Sequence, residues 1–462
     1  MKKTIFTLIF ASLFAIQAQA QDGPKAITLD EAIQIAISEN ASVKVADLEI
    51  ERTGYARKGT YASLFPKIDG SGSYQRTIKK QVMYMDFNLG GAGLPGGSSE
   101  EEGGKGGGGG SNGIEMGRWN TWSAGVSASV PLVNAQLWQS LRISDQDVEL
   151  AVEKARSSRL ETVTQVKKAY YTVLLAKEAF EVYKSVYENA LANLQLTEKK
   201  YNAQRASELD LTRAKTNLAN AIPNVVDSEN SVQLGLWQLK AVMGVDLDTE
   251  IDVVGTIGDY AGELDAPLPD GLSLDDNSTL RQLAIQAEQL AGNVKLQQYA
   301  NIPSLALAFS YSLNAMANDY VFKDYRWSPY SYVGLSLSIP IFNGGKRYFA
   351  IRQARVQAAQ LDIQRANTER QLQIAIRSSL STMGTATKSY ASASSAVETA
   401  EKAYGIANQS YEVGRSTLTD LNDAQLALTR ARLGVCQAIF SYLSAKSDLE
   451  GTLGADFLPE KR

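Results

Sequence analysis

The sequence predicts an α+β membrane protein, internally duplicated, in which long coiled-coil helices accompany four membrane β-strands per protomer. Three observations predict it. Residues 132–222 and 341–458 hold no proline. Apolar residues recur in each stretch every seven positions, in one register 210 residues apart. Ahead of each stretch lie segments that alternate apolar with small or polar residues.

The helices come first. Proline breaks helix interiors, so its absence permits very long helices. Val166, Val173, Phe180, Tyr187, Leu194 and Tyr201 form one heptad row; Ile376, Met383, Tyr390, Val397, Tyr404 and Tyr411 form its copy. Three residues further on, the side chain is mostly small, as at Ala169, Ala176, Ala190 and Thr197, with Tyr183 as the exception, and at Ser379, Ala386, Ala393, Ala400 and Ala407. A strict seven-residue repeat implies helices that supercoil left-handed around neighbours, and small residues let their backbones approach. The match continues past the heptads: Tyr201-Asn-Ala-Gln-Arg205 aligns with Tyr411-Glu-Val-Gly-Arg415, and Gly244-Val-Asp246 with Gly454-Ala-Asp456. Two such runs with matching breaks make an internal repeat. Ser207-x-x-Asp210 and Thr417-x-x-Asp420 are helix-start boxes. Each copy is therefore a helical hairpin with its tip near 203–207 or 413–417. The ascending limb of roughly 70 residues spans on the order of 100 Å.

The strands come next. Trp122 to Leu132, Leu305 to Leu313 and Val333 to Ile341 alternate apolar with small or polar residues and carry no charge. Ile68 to Arg76 is a weaker, glycine-rich partner. Trp119, Trp122, Tyr325, Trp327, Tyr330 and Tyr332 stand at the ends. One apolar face, one small-polar face and aromatic ends describe membrane-barrel strands; a soluble β-sandwich also alternates. Four strands cannot close a barrel, whose smallest form needs about eight. Two copies would supply eight strands and three would supply twelve.

Composition narrows the function. Lys2-Lys3, the apolar run Thr4 to Ile16 and Ala18-Gln19-Ala20 read as a secretory signal peptide. The chain from Gln21 carries 44 cationic against 50 acidic side chains, which argues against nucleic acid. There is no histidine and one cysteine, Cys436. The commonest metal ligand and general base is therefore missing, no intrachain disulfide can form, and no metal, cofactor or catalytic residue is assigned. Gly104-Lys-Gly-Gly-Gly-Gly109 formally fits a dinucleotide fingerprint, but no strand feeds it and no helix follows closely. It belongs to an exposed loop, 89–117.

Several motifs resemble the TolC family of outer membrane factors: Ile27-Thr-Leu-Asp-Glu-Ala-Ile33 with Ser38-Glu-Asn40, Ala62-Ser-Leu-Phe-Pro-Lys67, and above all Tyr411-Glu-Val-Gly-Arg-Ser-Thr-Leu-Thr-Asp-Leu-Asn-Asp-Ala424. The resemblance covers nearly the whole mature chain. It implies a homotrimer in the outer membrane with a periplasmic extension, a 12-stranded barrel and a tunnel of twelve helices. It also implies a periplasmic adaptor, an inner-membrane pump of RND or ABC type and outer-membrane lipid as partners. The expected organisation is a signal peptide at 1–20 and a first repeat at 21–246 (strands about 66–76 and 120–132, hairpin 135–244). An equatorial segment follows at 247–278, then a second repeat at 279–456 (strands about 304–314 and 330–341, hairpin 345–453) and a tail at 457–462.

By the same resemblance, Asp420 and Asp423 match the acidic pair that rings the tunnel's inner end. Three positions apart, they share a helix face. Tyr411 and Asp210 match a Tyr–Asp link that holds the entrance closed. Arg415 stands beside Ser416, where the family's companion arginine falls. Tyr201, Arg205, Ser207, Val413, Gly414 and Thr417 form the tips that meet an adaptor. Asp210 and Asp420 also complete the helix-start boxes, a role that needs no gate. The implied function is a passive exit duct for small molecules or polypeptides; the rival is a soluble periplasmic coiled-coil spacer or adaptor.

Overall fold

The computed structural model describes residues 25–83, 114–265, 272–321 and 325–454. The signal peptide, the loop up to residue 113, Asp456 and the tail lie outside the described residues. In chain order the elements are β1 (Lys25–Ile27), α1 (Leu29–Glu39), α2 (Ala41–Ala62), β2 (Lys67–Arg76), β3 (Gln81–Met83), β4 (Ile114–Met116) and β5 (Asn120–Val133). Then come α3 (Ala135–Asn202), α4 (Glu208–Met243), β6 (Ile251–Val253), a 3-10 helix (Ile257–Asp265) and α5 (Ser278–Tyr299). The chain continues with β7 (Ser304–Ala317), β8 (Ser328–Ser338), α6 (Lys346–Glu412) and α7 (Leu418–Leu453). It divides into two units: Met1–Tyr55, Asp145–Leu290 and Val356–Arg462 form the first; Ala56–Ser144 and Ala291–Arg355 form the second.

Unit one is built on the heptad rows. Val166, Val173, Ile376 and Met383 are all buried in one core. Gly235 of α4 lies so close to Val173 that an added Cβ would stand 3.2 Å from its Cγ2. Helix α4 continues through Pro223, at the cost of one backbone donor.

Each return helix ends on a left-handed glycine, Gly244 (φ 74°) and Gly454 (φ 71°). An asparagine grips each end. Asn40 Nδ2 donates to the Val242 carbonyl at 2.7 Å while its Oδ1 accepts the Ser42 N–H. Asn277 Nδ2 donates to the Thr452 carbonyl at 2.6 Å while its Oδ1 accepts the Leu280 N–H. One side chain thus caps a helix start and satisfies an orphan carbonyl at a helix end.

Parallel pairing of β1 with β6 adds a small sheet to this core. The Tyr170 hydroxyl donates to the Val254 carbonyl at 2.7 Å, and burial pushes its pKa up to about 12. Lys446 bonds Glu263 of the 3-10 helix at 2.7 Å.

Unit two is an antiparallel sheet in the order β2-β5-β7-β8. The register pairs Ile68 with Ala128, Val126 with Tyr311, Phe309 with Val333 and Leu307 with Leu335. Directly paired residues share a face, so these form one apolar face. The opposite face pairs Ser73 with Ser123, Ser127 with Ser310 and Ser310 with Tyr332. The apolar face is bare: Ile68, Val333, Leu335 and Leu337 are each more than 60% exposed. Strands β2 and β8 are open edges. The fourth strand, expected at 330–341, runs instead from Ser328 to Ser338. Pro340 cannot donate to a ladder, and Ile339 and Ile341 fall outside the strand.

Helices α2, α3, α5 and α6 join the sheet at one end; the strand ends at Arg76, Asn120, Ala317 and Ser328 lie at the other. No helix among the described residues is long and apolar enough to cross a membrane.

Candidate functional site

The sequence places its candidate residues at the two hairpin tips, and all of them lie in unit one. Both tips are built alike. Ser207 and Thr417 are N-caps in extended conformation, each with its box closed by Asp210 or Asp420. Asp210 Oδ2 accepts the Ser207 hydroxyl at 2.7 Å; Asp420 Oδ2 accepts the Thr417 hydroxyl at 2.7 Å and the Thr417 N–H at 2.9 Å. Those bonds hold the Asp420 carboxyl below its ordinary pKa. The cap therefore stabilises the tip at neutral pH, and this is lost as the pH falls through the carboxylate range.

The preceding helices end in paired backbone bonds of one pattern. Gln204 N–H donates to the Tyr201 carbonyl and Arg205 N–H to the Lys200 carbonyl; Gly414 and Arg415 do the same to Tyr411 and Ser410. This is a Schellman motif, which wants a left-handed residue. Gly414 supplies it at φ 77°, and Gln204 adopts it at φ 58° without being glycine. A side chain pays about 1–2 kcal/mol there. Glycine's greater freedom in the unfolded chain offsets about 0.4–1 kcal/mol of this, so Gln204→Gly is expected to slow amide exchange over residues 200–206 by about two- to fivefold; unchanged exchange would show that the tip is unstrained.

Tyr411 does not meet Asp210. Its hydroxyl lies 2.6 Å from Thr197 Oγ1, and both residues are buried. Lys200 Nζ donates to the Tyr411 carbonyl and sits 4.1 Å from the centre of its ring. Burial lowers the Lys200 pKa. Among the described residues the Tyr411 hydroxyl bonds Thr197 and the Asp210 carboxylate bonds Ser207, and no hydrogen bond joins Tyr411 to Asp210. Thr197 and Lys200 are the residues that sequence reasoning missed in this role. Thr197 read as one more small heptad side chain. The available signal for Lys200 was its counterpart Ser410, a difference between copies.

Asp423, Arg415, Arg205, Val413 and Tyr201 are exposed. Asp423 makes no ion pair among the described residues, and Val413 is 70% exposed. Tyr411, Leu418 and Leu421 pack with Ala214 in a small core that ties the two tips together. No group of three His, Cys, Asp or Glu among the described residues could hold a metal ion.

A sheet with one bare apolar face and no charge in three of its four strands, joined to long capped helical hairpins, defines a class: the subunit of an outer-membrane channel with a helical extension. The profile of the outer membrane efflux protein family matches residues 32–245 and 271–455. The chain belongs to that family, and it is an efflux or secretion channel of the outer membrane. It is 21% identical to Outer membrane protein TolC of Escherichia coli over 357 residues, covering 74% of this chain and 71% of that one. It is 23% identical to the alkaline protease secretion protein AprF of Pseudomonas aeruginosa, covering 71% and 68%. Its fold matches the CmeC outer membrane channel of Campylobacter jejuni with a TM-score of 0.71 at 18% identity, over 92% and 85% of the two chains. The open-state MtrE channel of Neisseria gonorrhoeae matches at 0.70 and 19%, over 92% and 88%.

Proposed function

We propose that three copies close their sheets into one 12-stranded barrel, continued by a tunnel of helical hairpins, as a passive exit duct. The observation that carries this is the sheet of unit two, with a bare apolar face, a serine-rich face and two open edges. An exposed edge needs another strand, and lipid accepts an apolar face that water does not. A soluble spacer would leave that face in water.

At the tips, Asp420 and Asp423 of three copies form two rings of carboxylates that favour cations. The Thr197–Tyr411–Lys200 contact holds the second tip against the first, and opening separates them as rigid elements. Val413, Gly414 and Arg415, with Tyr201 and Arg205, meet a periplasmic adaptor, and an inner-membrane pump of RND or ABC type supplies the energy. The cargo is small molecules or polypeptides. Copper or silver fits poorly with a chain that has seven methionines and no histidine.

The double variant Asp420→Ala with Asp423→Ala tests the gate. In planar bilayers its cation preference should fall; unchanged selectivity rejects the assignment.

A further inference from the structure

Unit two is basic in an acidic chain. It carries 16 Lys and Arg against eight Asp and Glu, whereas the remainder carries 30 against 42. The excess sits at one end. In the loops at residues 76–120 and 317–328, cations and acids balance at seven each. The rest of the unit, its strand bodies and helix ends, holds nine cations against one acid, Asp69. Asp69 already pairs with Lys67 at 3.1 Å.

The cations concentrate where α6 leaves the sheet. Arg347 is committed to the backbone, donating to the Pro340 carbonyl at 3.0 Å. Lys346, Arg352 and Arg355 make no ion pair among the described residues; Arg352 lies over the Tyr348 ring at 5.4 Å. Beside them Phe342 is 85% and Phe349 66% exposed. Water tolerates the cations but not the bare phenylalanines. Cations mixed with exposed aromatics suit a membrane interface rich in anionic headgroups.

We propose that the helix end of unit two is a docking collar for anionic phospholipid of the phosphatidylglycerol class, in the leaflet from which the helices emerge. Lys346, Arg352 and Arg355 meet the lipid phosphates, and Phe342 and Phe349 enter the acyl boundary. The collar fixes the depth of the sheet. This rests on the reading that the sheet spans a membrane.

The test reconstitutes the full chain into phosphatidylcholine vesicles with and without phosphatidylglycerol, and measures phosphatidylglycerol binding by native mass spectrometry. The wild type should prefer phosphatidylglycerol over phosphatidylcholine. Lys346→Gln with Arg352→Gln and Arg355→Gln should weaken that preference on the order of 100-fold, about fivefold per cation. Arg352→Lys with Arg355→Lys, which keeps the charge, should retain it. Insertion with equal affinity for both lipids, or a preference unchanged in the Gln variant, would overturn this inference alone. Failure of the wild type to enter either vesicle would overturn the spanning reading, and the collar with it.

Discussion

Replacing Gly454 by alanine is expected to destabilise unit one by about 2–5 kcal/mol, from a left-handed backbone and an overpacked contact. The residue sits at φ 71°, and a Cβ there would lie 2.2 Å from the Asp276 carbonyl oxygen and 3.3 Å from Asn277 Cα. Neither neighbour can give way cheaply. Both are backbone atoms, and Asn277 is committed to Thr452 and Leu280. Gly414 is the control. Its φ is 77°, yet nothing lies within 4 Å of an added Cβ. Gly414→Ala should therefore show only the conformational cost, about 1–2 kcal/mol. Denaturant unfolding of the two purified variants compares them. Equal effects would mean that the close approach of α7 to the Asp276–Asn277 turn is wrong.

The second large effect concerns the sheet. Phe309 and Ser310 are adjacent at the middle of β7 and point to opposite faces. Phe309 pairs with Ala128 and Val333 on the apolar face; Ser310 pairs with Ser127 and Tyr332 on the other. If the apolar face meets lipid, Phe309→Arg costs about 2–4 kcal/mol at mid-depth, and the same charge at Ser310 faces the lumen and is tolerated. Quantified outer-membrane fractions should show the first variant depleted and the second near wild type. The reverse order would place lipid on the serine face. Equal depletion would mean that neither face is solvated.

Much of this was legible in the sequence because the signals were local. The missing prolines and the heptad rows mark α3 and α6, and alternation marks β5, β7 and β8. The Ser207 and Thr417 boxes mark the turns, because a capping box is made by four consecutive residues. What was illegible depends on contacts between distant segments. The pairing of β1 with β6 involves three residues on each side and has no periodicity to read. Asn40 and Asn277 look like ordinary caps until the carbonyls of Val242 and Thr452 are brought beside them. Tyr411 was legible as a tip residue, but its contact with Thr197 joins positions 214 residues apart and exists only once the helices have packed. Ile339 and Ile341 continue the alternation of β8, but Pro340 between them carries no donor and the ladder ends at Ser338.

The gate, the adaptor contacts and the lipid collar all depend on one claim, that four strands from each copy close with those of two others. The number and symmetry of subunits in the detergent-solubilised particle test it most directly, by native mass or by imaging down the long axis. Three copies related by threefold symmetry is the predicted result. A stable single copy or a symmetric pair would contradict it.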